Sequence, residues 1–152
     1  MNKKMLVPLD TSEYAECVLS HVKDIATARA VPEVVLLTVS DMNYAPYTEY
    51  LDKKVVKQAD ELAREKANEY LEKTKQSLGL TKSKVTTVVR SGQPADEILD
   101  YVQKNGVDIV VMSTQGKSGV SKWLLGSVAE RIVRNSPVPV YLVPSLACRT
   151  AL

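Results

Sequence analysis

Five short apolar runs alternate along this chain with segments whose apolar residues recur every three or four positions. The runs cover residues 4–9, 33–39, 84–89, 107–111 and 138–143. They are nearly continuous in aliphatic residues, which is typical of parallel strands covered on both faces. The intervening segments have the spacing of amphipathic helices. The alternation predicts an α/β fold with an open five-stranded parallel sheet, right-handed crossovers and helices on both faces.

The length and charge of the chain restrict its class. We expect the 152 residues to form one domain over residues 1–145, followed by a loose tail over residues 146–152. The 20 basic and 18 acidic residues leave a net charge of +2 without a basic block, which argues against nucleic acid or a membrane as the main partner. No apolar run is long enough to span a bilayer, and the N-terminus does not read as a signal peptide, so we expect a cytoplasmic protein.

Cysteine and histidine are scarce in this sequence. Cys17 and Cys148 lie far apart and lack the spacing of a metal or redox motif, so we expect two unrelated thiols. His21 is the only histidine and lies beside the apolar face of the first predicted helix. A single histidine argues against a histidine-based metal site or a catalytic triad. We therefore expect no metal site built from protein side chains alone.

The connection between the fourth run and the last predicted helix is unusually long and rich in glycine. It extends from Met112 to Ser127 and contains Gly116, Gly119 and Gly126, three of the six glycines of the chain. Strand-to-helix connections usually take about 2–6 residues. Its last residues open a helix, where unpaired N–H groups and the helix dipole favour an anion. The pattern predicts a phosphate-binding loop.

Two common phosphate-binding motifs do not match this loop. Gly116 and Lys117 resemble the end of a Walker A motif, but Val111 occupies the position where that motif requires its first glycine. A Gly-x-Gly-x-x-Gly pattern is absent from the sequence. Residues 113–127 also contain no Asp, Glu or His that could serve as a base or hold a metal near a γ-phosphate. We expect no catalytic residues and at most weak ATP hydrolysis.

The loops after the first and fourth strands are candidates for the two sides of one site. In open α/β sheets the ligand crevice lies beyond the carboxyl ends of the strands, where the strand order reverses. If the first and fourth strands are the central neighbours, Pro8, Leu9 and Asp10 face the loop over residues 113–127. Asp10 has an alternative role, since Asp10 or Ser12 could simply cap the first helix.

The spacing Ser113-x-x-Gly116, nine residues, then Gly126-Ser127 closely resembles that of the universal stress protein family. Nucleotide-binding members of that family carry Gly-x-x-Gly, nine residues, then Gly-Ser or Gly-Thr. The resemblance covers nearly the whole chain, including residues 7–10, 36–41, 92–95, 119–130 and 137–140. Ser113 departs from the motif, because it replaces the first glycine.

The resemblance implies a fold, a ligand and an assembly. The fold is a Rossmann-like sheet of the adenine nucleotide alpha hydrolase-like type, with strand order 3-2-1-4-5. The implied protein is a homodimer that binds ATP or AMP, pairs through the strand over residues 138–143 and responds to nucleotide state. Two alternatives remain open: a dimeric interaction module of the same family that binds no nucleotide, and a slow ATPase.

The resemblance also implies roles for individual residues. Asp10 would contact the ribose or the base and could hold a Mg²⁺ ion that accompanies the nucleotide, and Val39 would line the adenine. The glycines would let the backbone approach the phosphates, whereas Lys117 either reaches a phosphate or is solvated. Ser127 and Glu130 match a capping box at the start of the last helix. The implied nucleotide-binding residues are Pro8, Leu9, Asp10, Val39, Met112, Ser113, Gly116, Lys117, Gly119, Gly126, Ser127 and Val128.

Overall fold

The sheet has the predicted strands in the predicted order. A computed structural model describes residues 3–40, 50–115 and 125–144. Its strands are β1 (Lys4–Pro8), β2 (Glu33–Ser40), β3 (Lys84–Ser91), β4 (Ile109–Ser113) and β5 (Val140–Val143). They lie in the order β3-β2-β1-β4-β5, and every neighbouring pair is parallel. The expected open sheet with order 3-2-1-4-5 is confirmed.

Helices cover both faces of this sheet, as predicted. They are α1 (Glu13–Glu16), α2 (Val18–Ala28), α3 (Lys53–Leu78), α4 (Pro94–Lys104) and α5 (Ser127–Asn135). One apolar cluster joins α2 and α3 to the sheet, and a second joins α4 and α5 to its opposite face. Successive strand residues alternate between the two clusters: Met5 and Val7 belong to the first, and Leu6 to the second. Because both faces are covered, the inner strands β1, β2 and β4 are apolar over consecutive residues rather than at every second position, whereas the edge strand β3 is only partly buried.

The first predicted helix is divided into two. α1 ends at Glu16, α2 begins at Val18, and Cys17 stands at the N-cap of α2. The apolar spacing continues through this break, so the sequence pattern does not reveal it. Cys17 is disulfide-bonded, which contradicts the expectation of a free thiol at this position. The other cysteine of the chain, Cys148, lies outside the described residues.

The edge strand β5 is shorter than the predicted run over residues 138–143. Pro139 precedes it and Pro144 follows it. Proline cannot donate to a sheet ladder, so its position beside a short edge strand follows from its chemistry. The predicted tail over residues 146–152 lies outside the described residues, and the single-domain boundary at residue 145 stays a prediction. Within the part of the chain that the structure describes, no helix has both the length and the apolar composition needed to cross a bilayer.

Candidate functional site

A cleft of about 750 Å³ opens at the carboxyl ends of the central strands. β1 ends there at Pro8, β2 at Ser40 and β4 at Ser113, and all three residues line the cleft. The strand order reverses between β1 and β4, since β2 lies on one side of β1 and β4 on the other. The cleft therefore occupies the position at which open α/β sheets bind ligands.

Nine of the twelve residues that the resemblance implied lie together in this cleft. They are Pro8, Leu9, Asp10, Val39, Met112, Ser113, Gly126, Ser127 and Val128. The other three, Gly116, Lys117 and Gly119, lie outside the described residues. The loop after β1 and the two described ends of the loop after β4 thus face one cleft, as the topology argument predicted.

Asp10 is held in place by a short network after β1. Leu9 N–H donates to the Leu37 carbonyl at 2.8 Å, and the Thr38 hydroxyl donates to the Leu9 carbonyl, so the end of β1 is fixed to β2. The Oδ1 atom of Asp10 accepts hydrogen bonds from the Ser12 hydroxyl and from the Ser12 N–H, the latter at 3.1 Å. This carboxylate therefore has a defined orientation beside the cleft.

Ser12, and not Asp10, caps α1. The Ala15 N–H donates to the Ser12 hydroxyl oxygen at 3.2 Å, which is the geometry of an N-cap. Thr11, between the two, has φ 67°, a left-handed conformation that a β-branched residue rarely adopts. Backbone strain of this kind persists where the surrounding structure enforces it, and it is common at binding sites. Thr11 also lines the cleft.

The loop after β4 is joined at its two described ends. The Ser113 hydroxyl donates to the Gln115 carbonyl at 2.7 Å, and the Thr114 N–H donates to the Val143 carbonyl at 3.0 Å. The Thr114 carbonyl then accepts from the Gly126 N–H at 2.8 Å. A Cβ atom at Gly126 would lie 3.1 Å from the Thr114 oxygen. Glycine is needed at position 126 for this close approach and not for its backbone conformation, because its φ of −60° would suit any residue.

The predicted capping box at Ser127 and Glu130 is wrong. The N-cap of α5 is Gly126, which has no side chain with which to cap, and Ser127 is the first helical residue. Glu130 instead lies 3.1 Å from the guanidinium of Arg134, one turn further along. Position 126 is the N-cap of α5, and its close approach to the Thr114 carbonyl requires a glycine there. The helix therefore has no capping side chain at the position where a capping box would need one.

The N-terminus of α5 consequently faces the cleft with N–H groups that no side chain in the described part of the chain caps. A helix leaves its first N–H groups without intrahelical acceptors, and in α5 these include the amides of Ser127, Val128 and Ala129. All three residues line the cleft. The positive end of the helix dipole adds to the field of these amides. This wall can hold an anion.

The opposite wall is formed by α3, which the sequence reasoning did not assign to the site. Ala63, Lys66, Ala67 and Tyr70 line the cleft from this helix. The apolar spacing places Ala63, Ala67 and Tyr70 on the inner face of α3, but it does not show that this face passes from the core into a cleft. The start of α4 also contributes Pro94 to the lining.

The phenol of Tyr70 remains protonated at neutral pH. Burial raises the pKa of Tyr70 above its usual range, and the nearby carboxylate of Glu16 raises it further. The hydroxyl is buried close to Glu16 and Thr74, but it meets the geometry of a hydrogen bond with none of the described residues. The ring thus supplies an uncharged surface to the α3 wall.

Comparison with known proteins identifies the family. The model of the Universal stress protein family matches residues 1–144. Universal stress protein MJ0577 of Methanocaldococcus jannaschii is 36% identical to this chain, over 94% of this chain and 95% of its own length. The solved structure of MJ0577 matches this fold with a TM-score of 0.82, covering 94% of this chain and 96% of that one.

Two more distant structures share the fold. One is a universal stress protein in complex with cAMP, 20% identical, with a TM-score of 0.66 over 93% of this chain and 97% of its own. The other is a universal stress protein family protein from Arabidopsis thaliana with AMP bound, 16% identical, with a TM-score of 0.60 over 93% and 90%. The match over residues 1–144 and the 36% identity across nearly the full length both establish the relationship: this chain belongs to the universal stress protein family.

Proposed function

We propose that this chain binds an adenine nucleotide, ATP or AMP, in the cleft between the β1 loop and the start of α5. The observation that carries the proposal is the row of uncapped amides at Ser127, Val128 and Ala129, which faces a cleft with Asp10 on its lining. Amides at a helix N-terminus suit a phosphate. A carboxylate suits the hydroxyl groups of a ribose, because it accepts hydrogen bonds and donates none.

Different parts of the cleft lining suit the base, the ribose and the phosphates of a nucleotide. Apolar side chains at the strand ends, among them Val39 and Met112, offer a surface for a base, since ligand clefts are mostly apolar with a few placed polar groups. Asp10 would take the ribose. The α5 amides and the bare backbone at Gly126 would take the phosphates, and Gly116, Gly119 and Lys117 would complete that loop.

A magnesium ion would enter with the nucleotide. Mg²⁺ in proteins is commonly held by one or two carboxylates together with substrate phosphates and water. Asp10 is the only carboxylate among the described lining residues, so it is the side chain that would share the ion with the phosphates.

The relatives support the class of ligand. The proteins solved with cAMP and with AMP show that this fold holds adenine nucleotides in those proteins. At 20% and 16% identity they share the fold with this chain, so the residue roles proposed above rest on its own cleft.

The cleft favours nucleotide binding without efficient ATP hydrolysis. Among the described lining residues Asp10 is the one carboxylate that could act as a base, and its Oδ1 atom already accepts two hydrogen bonds from Ser12. A slow ATPase is therefore the weaker candidate. In a family member that binds no nucleotide, the amides at the start of α5 would face water rather than a phosphate.

The active form in this proposal is a cytoplasmic homodimer whose response to stress depends on nucleotide state. β5 is an edge strand, and Tyr141 on it is 43% exposed. A second copy would pair with the free edge of β5 in antiparallel orientation. Pro144, which directly follows β5, would limit the length of that pairing, because proline cannot donate to a ladder.

The test is to look for the nucleotide first and to measure its affinity second. Mass spectrometry of small molecules released from the denatured protein is expected to detect ATP or AMP. Titration calorimetry with Mg²⁺ is expected to give a micromolar dissociation constant. A protein that purifies empty and shows no heat up to millimolar ATP would reject the proposal in favour of the interaction module.

A further inference from the structure

The inner face of α3 packs against the hydrophobic core along one part of the helix and lines the cleft along another. Its fully buried residues, Ala67, Leu71, Thr74 and Leu78, all lie in the second half of the helix. Near the middle of this 26-residue helix the Arg64 guanidinium lies 3.5 Å from the hydroxyl of Ser91, the last residue of β3, so the helix reaches the end of that strand at about this point. The inner-face residues around the middle of the helix, Ala63 to Tyr70, thus line the cleft, and those further along pack in the core.

Lys66 stands on the part of this wall that lines the cleft. Ala63, Lys66, Ala67 and Tyr70 have the spacing i, i+3, i+4 and i+7, so they share one face of the helix. Lys66 is the one cationic side chain among the described residues of the lining. The two alanines beside it are small and leave it room to reach into the cleft.

Within the described residues, the ammonium group of Lys66 is not paired with a carboxylate. Lys57, Lys75 and Lys104 each lie within 4 Å of a carboxylate on their own helix. Lys66 forms no ion pair with any residue in the described ranges. A cation without a counterion, opposite a helix N-terminus that also favours anions, attracts negative charge into the space between them.

We propose that Lys66 is a specificity-determining residue that makes this cleft prefer the more highly phosphorylated nucleotide. This inference rests on the proposed function. The α5 amides would hold the phosphates from one wall and Lys66 from the other. A triphosphate carries more charge than a monophosphate and extends further, so it gains more from the second wall.

The experiment compares three ligands that differ only in phosphate: adenosine, AMP and ATP. Titration calorimetry is performed on the wild type, Lys66→Ala and Lys66→Arg. The matched control is Lys73→Ala, because Lys73 is exposed on the same side of α3, two turns further on, and does not line the cleft. Thermal melts without ligand establish that all variants fold, which is expected because Lys66 is exposed.

The expected result is a loss that grows with phosphate charge. Lys66→Ala weakens ATP binding about fivefold, as expected for a solvent-exposed charge contact, weakens AMP binding less and leaves adenosine unchanged. Lys66→Arg retains most of the ATP affinity. The loss shrinks in 0.5 M NaCl, because salt screens exposed charges. Lys73→Ala has no effect on any ligand.

Other outcomes would overturn the inference in distinguishable ways. An equal loss for all three ligands would give Lys66 a packing role, and a loss no larger than that of Lys73→Ala would remove it from the site. In both cases the wild type still binds, so the proposed function stands. A wild type that binds none of the three ligands would overturn the proposed function and this inference with it.

Discussion

Gly126 is the single residue on which the geometry of the proposed phosphate site depends most. A Cβ atom there would lie 3.1 Å from the Thr114 carbonyl oxygen and 3.7 Å from the Gln115 Cα, so the backbone would have to shift. Gly126→Ala is expected to weaken ATP binding about tenfold, in line with the cost of overpacking, and Gly126→Val to abolish it. Titration calorimetry measures both.

The control for this prediction is another glycine. Gly106 has φ 63°, and a Cβ atom added to it would meet nothing within 4 Å. Gly106→Ala should therefore cost about 1 kcal/mol of folding free energy through backbone strain while leaving ATP affinity unchanged. If Gly126→Val bound ATP as the wild type does, the start of α5 would not be the phosphate site.

Ser113 is the residue at which this chain departs from the family motif, and the structure gives its hydroxyl a role. It is nearly buried and donates to the Gln115 carbonyl, which fixes the first turn of the loop. Ser113→Gly restores the family glycine, but it should weaken ATP binding about fivefold, because it removes a hydrogen bond worth about 1 kcal/mol and frees the backbone.

Ser113→Ala distinguishes the effect of the hydroxyl group from the effect of the Cβ atom, because alanine keeps the Cβ atom and lacks the hydroxyl. If the hydrogen bond matters, alanine should lose affinity as glycine does, and both losses appear in calorimetric titrations. Tighter binding by Ser113→Gly would mean instead that the Cβ atom of the natural serine obstructs the ligand.

Among the secondary structure elements, β5 carries the proposed dimer contact. Val110 N–H donates to the Pro139 carbonyl and Thr114 N–H to the Val143 carbonyl, so alternate residues of β5 face β4. The backbone groups of Val140 and Leu142 between them point to the free edge of the sheet. This edge is the surface on which a second copy would pair.

Replacing both Val140 and Leu142 with lysine is expected to give monomers, because like charges would meet across a two-fold axis. Sedimentation velocity measures the change. Thr86→Lys on β3, at the opposite edge of the sheet, is the matched control and should leave the sedimentation profile unaltered. A folded double variant that sediments like the wild type would locate the interface elsewhere.

α3 shows why an element can be predicted and its role missed. The spacing of Ala63, Ala67, Tyr70, Thr74 and Leu78 correctly indicates one inward face. Part of that face packs in the core, as Thr74 and Leu78 do, and part lines the cleft, as Ala63 does. Apolar periodicity indicates that one face of a helix is turned away from solvent. It does not distinguish a face that packs in the core from a face that lines a cleft.

For the molecule as a whole, Asp108 joins the amino-terminal ends of the two central strands, β1 and β4. Its carboxylate accepts from the Lys3 N–H at 2.8 Å and from the Lys4 N–H at 2.9 Å, so it joins the start of β1 to the segment before β4. These two backbone hydrogen bonds lower the pKa of Asp108 below its usual value. A lowered pKa means that the ionised carboxylate stabilises the folded state.

The pH dependence follows from the sign of this shift. The contribution of Asp108 is fully present above the ordinary aspartate pKa of about 4 and is lost as the pH falls through the lower pKa of the folded state. Asp108→Asn should therefore lower the melting temperature at pH 7, and the difference from the wild type should narrow below pH 4. Calorimetric melts at both pH values measure it; a constant difference would mean that charge is not involved.

The sequence alone predicted the five strands and most of the helices, and it predicted that the loops after β1 and β4 border one cleft. Continuous apolar runs located the strands, since a strand covered on both faces cannot alternate, and the strand order came with the family resemblance. The loop glycines predicted a phosphate site, because a phosphate that approaches a backbone needs room there, whereas the role of Asp10 came with the family resemblance.

The N-cap of α5 and the position of Lys66 on the cleft were decided by tertiary packing. Gly126 became the N-cap of α5 because the Thr114 carbonyl lies against it, although the local sequence matches a cap at Ser127. Lys66 came to line the cleft because α3 reaches the end of β3, which lies elsewhere in the sequence. Both outcomes depend on contacts between distant parts of the chain, and local periodicity and capping patterns carry no information about such contacts.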